Sequence, residues 1–283
     1  MFTTLIESSV LAGHIADGDW AVIDCRFELT QPEWGRNAYE QGHIPGALYA
    51  HLDRDLSGPV TPQSGRHPLP SRETFADRLG AWGVDSKVQI VAYDQGHGAY
   101  AARLWWLARW AGHRNVAVLD GGFAAWQQAG LPVSQHAGTR PARRFTPGRS
   151  LGDVVTTQEL AQLQASGQLE RAHVLIDARS AERFAGRNET IDTIGGHVPG
   201  ARNHPFTTNL DSNGRFLQPA SLRERWTGEL GGQDPARVIS MCGSGVTACH
   251  NLLALEVAGL PGGRLYAGSW SEWIRDPARP VFK

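Results

Sequence analysis

Arg237-Val238-Ile239-Ser240 is followed by Met241-Cys242-Gly243-Ser244-Gly245-Val246-Thr247-Ala248-Cys249-His250, and then by Asn251 to Ala258. An apolar run, a glycine-bearing loop and a helix-like run read as strand, tight turn, helix. A thiol at that turn faces loop N–H groups at a helix N-terminus, a place that stabilises an anion. Here the anion is a thiolate, or a sulfur chain grown from it. Two glycines let the backbone turn tightly and approach the sulfur with no Cβ in the way.

The same alternation recurs through the chain. Val88–Tyr93 and Val116–Leu119 read as strands, and Tyr100–Trp110 between them as a helix apolar around most of its girth. Alternating β and α predicts α/β domains, each a parallel sheet flanked by helices. Ligands then bind at the carboxyl ends of the strands, where Cys242 falls. Trp105, Trp106, Trp110, Trp126 and Trp273 are assigned to the core.

The chain reads as a duplication. Ala21-Val22-Ile23-Asp24-Cys25-Arg26 matches Val174-Leu175-Ile176-Asp177-Ala178-Arg179, and Gly42-His43-Ile44-Pro45-Gly46-Ala47 matches Gly196-His197-Val198-Pro199-Gly200-Ala201. Asp120-Gly121-Gly122-Phe123-Ala124-Ala125-Trp126 matches Ala267-Gly268-Ser269-Trp270-Ser271-Glu272-Trp273. A near-constant offset of roughly 150 residues over three motifs marks an internal repeat. Residues 131–152 are rich in Pro, Gly, Arg and Ser. The division expected is a first domain over 1–135, a linker over 136–152 and a second domain over 153–283. His43 and His197, present in both halves, are assigned to structure, as are Asp177 and Arg179.

Composition limits the function classes. A net charge of −1 over 283 residues gives no basic footprint for nucleic acid or an anionic membrane. No apolar run approaches the ~20 residues of a membrane span, and Met1–Ile6 does not read as a secretory signal. Three widely spaced cysteines argue against a disulfide scaffold and for a reducing compartment, with the cytoplasm as the expected location. No Cys-x-x-Cys pair or histidine spacing suggests a metal, and no cofactor motif is present. Cys25 and Cys249 are assigned to packing.

Taken together, the Gly-His-Ile-Pro-Gly-Ala and Leu-Asp-Gly-Gly-Phe-x-x-Trp motifs and the Cys242 loop resemble those of tandem-domain rhodanese-type sulfurtransferases, over both halves of the chain. The resemblance implies two tandem rhodanese-like domains, the second catalytic and the first inactive. Aligning Ala101 with Ala248 sets Asp94 opposite Cys242, with one extra loop residue, and a carboxylate cannot carry sulfane sulfur.

In that family, basic residues after the cysteine accompany thiosulfate use, and Gly-Ser-Gly accompanies 3-mercaptopyruvate use. Cys242-Gly243-Ser244-Gly245 is of the second kind. The resemblance to animal-type mercaptopyruvate enzymes further implies a Ser244–His67–Asp53 arrangement, in which His67 polarises the serine hydroxyl and Asp53 fixes the ring tautomer. It implies Arg183 as the cation for the donor's carboxylate, and Arg187 as a second cation, although Asn188-Glu189-Thr190-Ile191-Asp192 replaces the Glu-Pro pair that precedes the family's second arginine. Gly243, Gly245, Val246 and Thr247 complete the donor-binding loop. The acceptor expected from the resemblance is cyanide in an assay, and a thiol or thioredoxin-like protein in a cell. Three alternatives stay open: a thiosulfate:cyanide sulfurtransferase, a noncatalytic sulfur-carrier module, and a phosphatase. Against the last, no arginine follows Cys242 as far as Ala254.

Overall fold

The computed structural model describes residues 1–283. The chain forms two compact units. Unit 1 comprises Met1–Gly58, Pro70–Leu151 and Ser212–Phe216; unit 2 comprises Pro59–Leu69, Gly152–Asp211 and Leu217–Lys283.

Unit 1 holds a five-stranded sheet of β1 (Leu5–Ile6), β2 (Trp20–Asp24), β3 (Leu48–Tyr49), β4 (Gln89–Tyr93) and β5 (Val116–Leu119), in the order β1-β5-β4-β2-β3. Every pairing is parallel. β2, β4 and β5 are buried at every position, so they read as continuous apolar runs rather than alternating ones, as strands covered on both faces must. Tyr39, Ile44, Val91, Tyr93, Phe123 and Trp126 fill one face.

Unit 2 holds β6 (Val174–Asp177), β7 (Arg202–Asn203), β8 (Val238–Met241) and β9 (Arg264–Leu265) in the order β7-β6-β8-β9, again all parallel. Val154 makes a parallel bridge to Leu265, at the place β1 takes beside β5. Leu160, Leu175, Ile239, Tyr266, Trp270 and Trp273 are core here. No helix is long and apolar enough to cross a membrane.

The repeat extends to side-chain detail. Arg26 grips Asp24 and donates to the Gly42 carbonyl at 2.7 Å; Arg179 grips Asp177 and donates to the Gly196 carbonyl at 2.7 Å. His43 stacks on Tyr39 and His197 on Phe184, each within a short antiparallel bridge. These contacts fit the structural roles expected of them.

Three expectations differ from what is found. Trp110 is half-buried, stacked on Trp106 beneath Arg72. Residues 136–151, expected as linker, are bound along unit 1: Arg140 donates to the Trp20 and Gly18 carbonyls, Gly138 N–H to the Tyr39 hydroxyl, and Leu151 N–H to the Arg109 carbonyl. Two short segments, 59–69 and 212–216, belong by contact to the unit of the opposite sequence half. The first of them carries His67.

Candidate active site

β8 ends at Met241, which pairs with Asp177 of β6. Cys242 therefore sits at the carboxyl edge of the central strand pair, with 2% of its surface exposed. Its carbonyl accepts from Trp270 N–H at 3.0 Å, and the Gly243 carbonyl from Ser271 N–H at 2.9 Å. The loop is thus pinned to the turn that opens the helix Ser269–Trp273. The helix Thr247–Val257 begins directly after the loop, with no side-chain cap. Its first turn starts at Thr247, four residues before the helix-like run Asn251–Ala258, and the residue at its cap, Val246, has no side chain that could bond the first amides.

The Gly245 N–H donates to Cys242 Sγ at 3.1 Å. Gly245 can do so because its φ is +77°, and a Cβ there would lie 2.4 Å from the Ala267 carbonyl oxygen; only glycine fits. The Cys242 N–H donates to Ser269 Oγ at 3.0 Å, and that hydroxyl donates to the Tyr266 carbonyl at 2.9 Å. Cys249 is fully buried and its thiol donates to the Gly245 carbonyl, so it braces the loop from behind. Cys25 is buried in unit 1, where burial first, and then Asp24, Asp94 and Asp55, push its thiol pKa well up.

Ser244 and His67 come together: His67 Nδ1 lies 2.7 Å from Ser244 Oγ, with both residues buried. Segment 59–69 is fastened to unit 2 by Gly65 N–H to Glu272 and Arg66 N–H to Ser271 Oγ, at 3.1 and 3.0 Å. Asp53 lies on the short helix Leu52–Asp55 of unit 1. Val246 is buried and Thr247 half-buried.

Arg183 lies beside the loop. A Cβ on Gly243 would be 3.5 Å from its Nη2 and 3.6 Å from its Nη1. Its Nε donates to both Glu189 oxygens, and its Nη2 to Asp192 at 3.0 Å. Burial alone would raise the Glu189 pKa, but the bonds from Arg183 and from the Asp192 and Ile191 amides outweigh it and hold it below the usual carboxylate range. Arg187 is on the exposed turn after the Arg183 helix, and its side chain takes no part in this network.

Arg66, Glu189, Asp192 and Ser269 carried no assigned role in the sequence reading. Ser269 had a readable signal, since the first repeat has Gly122 at its position. Arg66, which pairs with Asp192 at 2.7 Å across 126 residues of chain, had none.

Comparison with known proteins agrees with this geometry. The rhodanese-like domain family matches residues 8–129 and again 156–276. The chain belongs to the rhodanese-like family. It is 49% identical, over 98% of its length and 97% of the relative's, to a probable 3-mercaptopyruvate sulfurtransferase of Pseudomonas aeruginosa. It is 38% identical, over 98% and 96%, to a putative thiosulfate sulfurtransferase of Mycobacterium tuberculosis. The crystal structure of the Escherichia coli 3-mercaptopyruvate sulfotransferase SseA superposes with a TM-score of 0.80 at 33% identity, over 96% of this chain and all of that one. The protein is thus a tandem rhodanese-type sulfurtransferase, an enzyme that takes sulfur from a small donor.

Proposed function

We propose that the donor is 3-mercaptopyruvate and that Cys242 carries the sulfur. The Cys242 thiolate attacks the donor's sulfur, and the carbon–sulfur bond breaks with its electron pair leaving as the pyruvate enolate. Cys242 becomes a persulfide. The enolate carbon takes a proton from Ser244, which His67 replenishes, and pyruvate departs. Arg183 binds the donor's carboxylate, and the Gly245 N–H stabilises charge on sulfur in the manner of an oxyanion hole. The family resemblance gives Asp53 the task of orienting His67. An acceptor nucleophile (cyanide in an assay, a thiol or a thioredoxin-like protein in a cell) then removes the outer sulfur in a double displacement.

The observation that carries this reading is the 2.7 Å contact of His67 Nδ1 with Ser244 Oγ, two residues from the thiol. A proton relay is needed when a carbanion leaves. Thiosulfate releases sulfite, which has no such need.

The test is kcat/KM for 3-mercaptopyruvate and for thiosulfate, with cyanide as common acceptor. Mercaptopyruvate is expected to be favoured about a hundredfold, some 2.7 kcal/mol of transition-state discrimination. Ser244→Ala is expected to depress mercaptopyruvate turnover far more than thiosulfate turnover, and Cys242→Ser to abolish both. A thiosulfate preference, or equal losses with both donors in Ser244→Ala, overturns the donor assignment. Persulfide formation without turnover on small acceptors would instead indicate a carrier module.

A further inference from the structure

The helix Thr247–Val257 follows the cysteine loop directly and begins without a side-chain cap. Its residues from Ala248 to Leu255 are all buried. Apolar burial is non-directional, so it holds the helix down without fixing its rotation. Directional bonds must do that. Ser240 Oγ, two residues before the thiol, donates to the Ala248 carbonyl at 3.0 Å. The rest of the anchoring comes from a closed ring of buried polar groups.

Asn209 ends the short turn Phe206–Asn209 and is fully buried, as are His250 and Asn251. Asn209 Nδ2 donates to Asn251 Oδ1 at 2.7 Å and faces His250 Nδ1 at 3.4 Å. Asn209 Oδ1 faces His204 Nε2 at 3.1 Å. Asn251 Nδ2 donates to the His204 carbonyl at 3.0 Å, which closes the ring. One proton assignment satisfies every contact. His204 Nε2 carries a hydrogen, shared with the Thr208 hydroxyl at 3.0 Å, and His250 Nδ1 carries a lone pair. The first half is built otherwise. Aligning Ala101 with Ala248 sets Arg103 opposite His250 and Leu104 opposite Asn251. Arg103 Nε donates to the Leu56 carbonyl at 3.3 Å, and Leu104 is fully buried. An apolar side chain thus serves at the Asn251 position in the half without the thiol. A buried polar set is often no more stable than apolar packing of the same shape, so the return on this ring lies in geometry.

We infer that Asn209 and Asn251 are positioning residues for sulfur transfer. Their ring fixes the rotation of the helix, and the helix holds the Gly245 amide on Cys242 Sγ. The link is the Cys249 thiol, two positions before Asn251, which donates to the Gly245 carbonyl at 3.3 Å. This rests on Cys242 as the sulfur carrier and is independent of the donor. A small shift of the Gly245 amide weakens its bond to the sulfur anion and lowers the thiolate fraction. The thiolate is needed whichever donor is attacked, so a loosened ring slows transfer from all donors alike.

The test is the rate of Cys242 alkylation by iodoacetamide at about pH 7 in the full chain, with labelled cysteines identified by peptide mass. It is run beside kcat/KM for 3-mercaptopyruvate and thiosulfate. Asn251→Leu, which installs the residue of the first half, is expected to slow Cys242 alkylation about fivefold. Cys25 and Cys249 stay unlabelled. With every donor that the parent turns over, kcat/KM is expected to fall by a common factor of about ten. Asn209→Ser, which cannot overpack, breaks the ring from its other side and is expected to act in the same direction. A purely structural role gives the opposite sign, because a loosened fold exposes thiols: Cys242 alkylation speeds up and Cys249 is labelled. That result overturns the proposal. So does alkylation within about twofold of the parent in both variants, or a loss confined to one donor. If the parent itself is labelled first at a cysteine other than Cys242, or at none, the sulfur-carrier reading falls as well.

Discussion

Ser269 holds a backbone conformation that side chains avoid. Its φ is +55°, the single positive value among non-glycine residues, and its repeat counterpart Gly122 has +56°. The left-handed region costs a residue with a Cβ roughly 1–2 kcal/mol. Strain of this kind persists where the surroundings enforce it, and often where it serves a site. The hydroxyl supplies the reason here, for it anchors the amide of Cys242. An unusual order of stabilities follows. Ser269→Ala keeps the strain and leaves a buried N–H unpaired, a loss of about 2 kcal/mol. Ser269→Gly loses the same bond but sheds the strain, so it is expected to be more stable than the alanine variant by about 1 kcal/mol. At an ordinary φ, glycine would be the worse of the two. Urea unfolding of both variants checks this, and glycine at or below alanine would show that the strain is not there. At this scale the sequence yields residues whose chemistry is local. Cys242 stands out by its loop, but Arg66 and Asp192 acquire meaning from a contact across 126 residues, which no spacing rule reaches.

The strands were legible as elements because parallel strands buried on both faces are short apolar runs, and β4 and β8 begin within one residue of the expected positions. The helix after Cys242 was legible in existence but not in its start, because Val246 caps it without a side-chain bond. The segment from Glu189 to Asp192 was not legible. It has no regular structure, and ion pairs rather than periodicity define it. Its charges make it sensitive to acid. The Glu189 carboxylate is held below its ordinary range, so it stabilises the folded state above the unfolded-chain value near pH 4.3 and loses that contribution as pH falls through the folded value. Glu189→Gln is therefore expected to be less stable than wild type at pH 6, with the gap closing below about pH 4. Chemical denaturation at both pH values measures it. A gap that stays constant would mean that the Glu189 charge contributes nothing to stability.

Over the whole molecule, the duplication was legible and the exchange of segments 59–69 and 212–216 between units was not. Repeated motifs announce a repeated sheet, whereas the destination of a loop without regular structure depends on partners distant in sequence. The duplication leaves the first half with the architecture of the site but a carboxylate at the position of the thiol. Asp94 follows β4 as Cys242 follows β8. Its carboxylate accepts the N–H groups of Gly96, Gly98, Tyr100 and Ala101, at 3.1, 2.9, 2.9 and 3.3 Å. The amide cradle is retained, but an internal anion fills it, and the turn becomes a structural closure at the start of the helix Ala99–Trp110. Asp94→Ala would strand those donors in a buried turn, with a loss of about 2–4 kcal/mol of unfolding free energy, given that single bonds to charged groups are worth roughly 1.5–3 kcal/mol. Sulfur transfer by the folded protein at 25 °C is expected to change by less than about twofold, because the proposed chemistry is carried by Cys242. Equilibrium unfolding and the cyanide assay on one preparation decide the matter. A large fall in turnover without loss of stability would mean that the first half contributes to the chemistry after all.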